Sequence, residues 1–147
     1  MAFTFRERNT MPHLVIQYTD NLEPEAQPGT LARKLADVLL AQRDGDGKAV
    51  FPIGGTRVLA YPCRHYAVAD GQDDYAFVYL NLRIAAGRSA GAIERAGEAL
   101  LAAVQTHFAA IFASRAIGIT LQIDEGAPVF DAKHSNLHAR FAPPAPR

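Results

Sequence analysis

The 147-residue chain carries 15 basic and 15 acidic side chains, 49% hydrophobic and 20% charged residues, the profile of one soluble domain with a single core. The cancelled charge excludes the electrostatic footprint of a nucleic-acid or anionic-membrane binder. No run approaches the roughly 18–20 apolar residues of a bilayer span, no signal-like stretch opens the chain, and a lone Cys63 leaves neither an internal disulfide nor a Cys-zinc site.

A cytoplasmic, disulfide-free domain is therefore expected. Residues 1–11 are polar, without apolar period, and read as an appendage. The run His13 to Thr19, with Leu14, Val15, Ile16 and Tyr18, predicts a buried strand. After Pro28-Gly29, Thr30 is the predicted N-cap of a helix presenting Leu31, Leu35, Val38 and Leu39 along one side. Asp44-Gly45-Asp46-Gly47 ends it in a turn-rich loop. Pro52-Ile53-Gly54-Gly55 reads as a second turn, with a strand starting near Thr56, and Asp70-Gly71 as a third.

The second half repeats the plan. Tyr75 to Ile84 alternates Phe77, Tyr79, Asn81 and Arg83 on one face with Ala76, Val78, Leu80, Leu82 and Ile84 on the other. Ser89 is the expected N-cap of a long helix whose stripe is Ile93, Gly97, Leu100, Val104, Phe108 and Ile111. Ile117, Ile119, Leu121 and Ile123 alternate with Gly118, Thr120, Gln122 and Asp124 as a half-buried strand. Ala142-Pro143-Pro144-Ala145-Pro146-Arg147 is too proline-rich to pack.

The domain thus spans residues 12–141 in the order β-α-β-β-α-β. Right-handed crossovers make the strands within each unit parallel. Joining the units gives a two-layer α+β fold, a four-stranded mixed sheet with both helices on one face. The face bearing Phe77 and Tyr79 then lacks a cover, and association of copies is the simplest one.

Local pattern leaves the chemistry open. By spacing alone Pro12 reads as a strand-start proline and Arg88 as a solvated arginine before an N-cap, while Arg57 is ambiguous. His134 and His138 have the i, i+4 spacing of a metal pair, but no third ligand is evident, the segment does not read as a helix, and no metal is expected. His107 lies near its helix's apolar stripe and reads as a packing residue. Cys63 has only Arg64 and His65 nearby, thin support for a reactive thiol. Gly54-Gly55 lacks the spacing and lysine of a phosphate loop.

Six segments in order carry more information together. They are Met11-Pro12-His13, Phe51-Pro52-x-Gly54-Gly55-x-Arg57, Ala69-Asp70-Gly71-Gln72-x-Asp74-Tyr75-Ala76-Phe77-Val78, Gly87-Arg88-Ser89, Thr106-His107-Phe108-Ala109-Ala110 and Asn136-x-His138-Ala139-x-Phe141. Together they resemble the 5-carboxymethyl-2-hydroxymuconate isomerase family of the tautomerase superfamily, from Pro12 to about Phe141. The resemblance implies a homotrimer with sites near subunit boundaries. It implies a cofactor-free isomerase acting on a small carboxylate substrate in bacterial breakdown of homoprotocatechuate. By the same resemblance Pro12, as an N-terminal residue, is the base, and Arg57 and Arg88 bind substrate carboxylates and polarise the carbonyl.

Those residue types suit the chemistry. A keto–enol proton shift needs a base that titrates near neutrality. A free N-terminal proline is a secondary amine, whereas an internal proline nitrogen is an amide without basicity. Arginine's planar fork binds carboxylates bidentately and stays charged. Two chain starts follow: Met1, which caps Pro12, or Met11, whose removal frees it. With Pro12 capped, the implied protein is a silent trimeric small-acid binder. A tautomerase for another enol acid, such as phenylpyruvate, is the other alternative. It draws on Leu59, which stands where some members have a second arginine, and the loop near Asp44 is also a few residues longer than in the family.

Overall fold

The computed structural model describes residues 12–141; the expectations for residues 1–11 and 142–147 lie outside the described residues. The chain order is β1 (His13–Thr19), α1 (Pro28–Leu40), β2 (Arg57–Cys63), β3 (Ala76–Ile84), α2 (Ala90–His107), α3 (Ala109–Ser114), β4 (Ile117–Glu125) and α4 (Leu137–Phe141). The sheet order is β2-β1-β3-β4. Strands β1 and β2 run parallel, as do β3 and β4, while β1 and β3 are antiparallel. This is the expected doubled β-α-β plan.

Strand alternation sorts the residues onto two faces. Leu14, Ile16 and Tyr18 of β1 and Ala76, Val78, Leu80, Leu82 and Ile84 of β3 lie under the helices, almost wholly buried. Leu31, Leu35 and Leu39 of α1 and Leu100 and Val104 of α2 meet them in one core. Each fully buried leucine there contributes about 1.5–3 kcal/mol over an exposed one.

Three details of α1 and α2 differ from the sequence reading. Helix α1 starts at Pro28 rather than after Thr30, with Gln27 at its cap position; proline's fixed φ suits the first helical residue, where its missing N–H costs nothing. The long helix breaks at Phe108, whose ψ of 9° leaves helical geometry. Its buried stripe begins at Ala92 and Ala96, which places Ile93 and Gly97 toward β4. An added Cβ on Gly97 would come within 3.2 Å of the Ile123 Cδ1. Ser89 caps α2 as expected, accepting from the Ala92 N–H at 3.1 Å.

The opposite sheet face carries Val15, Leu59, Tyr61, Phe77 and Tyr79 in cross-strand register. Leu59 and Tyr61 are each close to half exposed.

Candidate active site

Four segments converge where β1 begins and β3 ends. Pro12 is buried immediately before β1, and its carbonyl accepts the Arg57 backbone N–H at 3.2 Å. That bond starts the parallel β1–β2 ladder, so the sheet itself places Arg57 beside the strand that Pro12 opens. The Arg57 guanidinium Nη1 donates to the Gly55 carbonyl at 3.1 Å, which ties it to the short 3₁₀ turn Ile53–Gly55.

Arg88 reaches the same loop from the other side of the corner. Its Nε donates to the Val50 carbonyl at 3.2 Å and its Nη1 to the Ala85 carbonyl at 3.1 Å. Its guanidinium also lies 4.8 Å over the Phe51 ring. Two carbonyls and an aromatic face fix the plane of the fork, a role that lysine's point charge does not fill. Burial lowers its pKa somewhat, against an opposing pull from Glu125, and the group stays charged at any physiological pH. The structure thus brings Pro12, Arg57 and Arg88 to one end of the sheet, with residues 50–57 as their shared support.

Register adds a row that periodicity did not single out. Arg57 stands opposite His13, His13 opposite Arg83, and Arg83 opposite Asp124, so a line of cation, imidazole, cation and carboxylate crosses all four strands at one end of the sheet. Burial, and then the Arg57 charge, hold the His13 pKa below its ordinary value. The sign follows directly: as pH falls, the unfolded chain protonates first, so stability is complete above about 6.5 and is lost progressively below it. Urea titrations from pH 7 to 5 are expected to show this loss, and His13→Gln to reduce it.

The other histidines part company. His107 Nε2 lies 2.6 Å from the Ala26 carbonyl and its ring meets Phe108 edge-on, the packing role expected of it. His138 lies in the five-residue helix α4, which the sequence reading did not foresee, while His134 precedes that helix. Among the described residues no three His, Cys, Asp or Glu side chains gather as a metal site. No helix among them is long and apolar enough to cross a membrane.

Arg57 faces two hollows. One, of about 390 Å³, runs between α1 and β2 past Ala36, Leu40 and Leu59. The other, of about 450 Å³, is lined by Arg57, His134, Ser135, Asn136 and Leu137. A buried start-of-strand proline, two fixed guanidinium groups and open clefts can bind an anionic acid and steady charge on an oxygen of it.

Residues 12–141 match the 5-carboxymethyl-2-hydroxymuconate isomerase family. A 5-carboxymethyl-2-hydroxymuconate Delta-isomerase of Escherichia coli is 37% identical over 131 residues, covering 89% of this chain and 99% of that protein. A crystal structure of a 5-carboxymethyl-2-hydroxymuconate delta-isomerase superposes with a TM-score of 0.90 at 47% identity, over 95% of this chain and 99% of that one. A 5-carboxymethyl-2-hydroxymuconate isomerase from Deinococcus radiodurans R1 gives 0.82 at 43%, over 92% and 97%. A fused 4-OT symmetric trimer shares the fold alone, with a TM-score of 0.57 and 20% identity over 85% and 93%.

Proposed function

The chain belongs to the 5-carboxymethyl-2-hydroxymuconate isomerase family, and we propose that it catalyses that family's reaction, a cofactor-independent proton shift along a conjugated hydroxymuconate acid. One proton leaves the enol, the double bonds move, and one proton returns at a carbon further along, so nothing is oxidised or reduced. Pro12, as an N-terminal residue, is the base that carries it. Its buried position favours the neutral amine, the direction that takes such a base below the ordinary α-amino range of about 7.7–8.0. Arg57 and Arg88 bind the carboxylates and stabilise the charge that develops on the enol oxygen.

The observation that carries this reading is the convergence of Pro12, Arg57 and Arg88 on the 50–57 loop, in a chain so similar to named isomerases over nearly all their length. The working form is a cytoplasmic homotrimer. The uncovered face with Leu59 and Tyr61 supports association, and sedimentation is expected to give three copies.

A second reading has its own support: Leu59 is an exposed apolar side chain two residues beyond Arg57 on the same face, which suits a less charged enol acid. Turnover of 5-carboxymethyl-2-hydroxymuconate against phenylenolpyruvate separates the two. A higher kcat/KM for the polyacid is expected; preference for phenylenolpyruvate would move the assignment to the second reading.

A further inference from the structure

The last described segment returns, from far along the chain, to the turn that supports Arg57. Gly54 is buried, and a Cβ built there would lie 2.8 Å from the His138 Cα and 3.0 Å from its backbone N. Side-chain carbons do not take such distances to backbone atoms, so only glycine admits this approach. The His138 Nε2 is buried as well, with no hydrogen-bond partner among the described residues. Helix α4 is therefore seated on the Ile53–Gly55 turn, whose Gly55 carbonyl holds the Arg57 fork.

Ser135 and Asn136, immediately before that seat, line the 450 Å³ cleft together with Arg57. The Ser135 Oγ accepts the Leu137 N–H at 3.0 Å, which leaves its hydroxyl proton to donate elsewhere. Asn136 brings an amide with two donors. A carboxylate offers about four acceptor positions, and an arginine fork occupies two of them. Neutral donors beside the fork suit the remainder.

We propose that Ser135 and Asn136 are specificity residues of this site, held beside Arg57 by the seating of His138 on Gly54, and that they bind the carboxylate remote from the reacting enol. Gly54 and His138 are positioning residues in this scheme. The proposal rests on the isomerase reading for its choice of substrate but not for its geometry.

The test compares wild type, Asn136→Ala and Gly54→Ala, in whichever form turns over, on the hydroxymuconate polyacid and on phenylenolpyruvate. Asn136→Ala should raise KM for the polyacid about tenfold, the loss of one hydrogen bond to a charged group, with kcat little changed and phenylenolpyruvate unaffected. Gly54→Ala should raise the polyacid KM at least as much by displacing His138, and should also lower turnover of both substrates, because the same turn holds the Arg57 fork. Asn136 is exposed, so its variant stays informative if Gly54→Ala fails to fold. Equal effects of Asn136→Ala on both substrates, or none on the polyacid, would overturn the proposal.

Calorimetric titration of the full chain with cis,cis-muconate, a diacid that needs no turnover, keeps the two readings apart. If wild type isomerises neither substrate, the isomerase reading fails, and the muconate affinity alone decides the cleft. Weaker binding by Asn136→Ala supports it; unchanged binding overturns it.

Discussion

A chain beginning at Pro12 is expected to isomerise its substrate about 10²–10⁴ times faster than the same chain with residues 1–11 attached, the usual contribution of a positioned general base. The reason lies in one atom. With a residue before it, the Pro12 nitrogen is a tertiary amide whose lone pair is delocalised into the carbonyl. Without one, it is a secondary amine held rigidly by its ring at the mouth of β1. The carbonyl of Pro12 is already engaged with the Arg57 N–H, so the ladder holds this residue in place. Intact-mass measurement identifies the form assayed, and circular dichroism checks that both forms are folded. The pH profile is a second reading: activity of the short form should rise through an amine pKa below the ordinary α-amino range. Equal turnover by the two forms would remove Pro12 as the base.

Replacing Arg88 with alanine is expected to lower kcat/KM by about 10²–10³, as losing a charge-stabilising donor does elsewhere. It should also destabilise the fold by about 1–3 kcal/mol, because the Val50 and Ala85 carbonyls lose charged donors. Arg88→Lys separates the two effects. It retains the positive charge but not the fork that bridges both carbonyls above the Phe51 ring. Thermal melts should therefore show partial recovery of stability, while kcat/KM remains well below wild type. Full recovery of activity by lysine would mean that charge alone matters at this corner.

Most of the fold was legible because alternation and helical period are local properties. The β3 run separates its two faces in the sequence, and the structure buries one and leaves the other partly exposed, with the same residues on each side. Ser89 announced its helix through a side chain that caps in any context. At the start of α2 the fully buried positions are Ala92 and Ala96, while the larger Ile93 of the expected stripe packs partly buried at the margin of the core, where size alone gives no guide to depth. Helix α4 left no periodic signal at five residues, and its place depends on contact with a turn more than eighty positions earlier.

The same division runs through the site. Pro12, Arg57 and Arg88 take their roles from the family resemblance that six ordered segments carry; spacing alone leaves Pro12 a strand-start proline, Arg88 a solvated arginine and Arg57 ambiguous. Their common dependence on the 50–57 loop came only with the tertiary structure, because hydrogen bonds from Arg57 to Gly55 and from Arg88 to Val50 join segments that no short-range pattern relates. The row Arg57, His13, Arg83 and Asp124 likewise needed strand order and register, since a one-residue slip would turn these side chains to the other face. Glycine at position 54 could be read as a turn residue from its neighbours. That it is the seat for His138 was decided by distance in space, where two backbones approach too closely for any side chain to intervene.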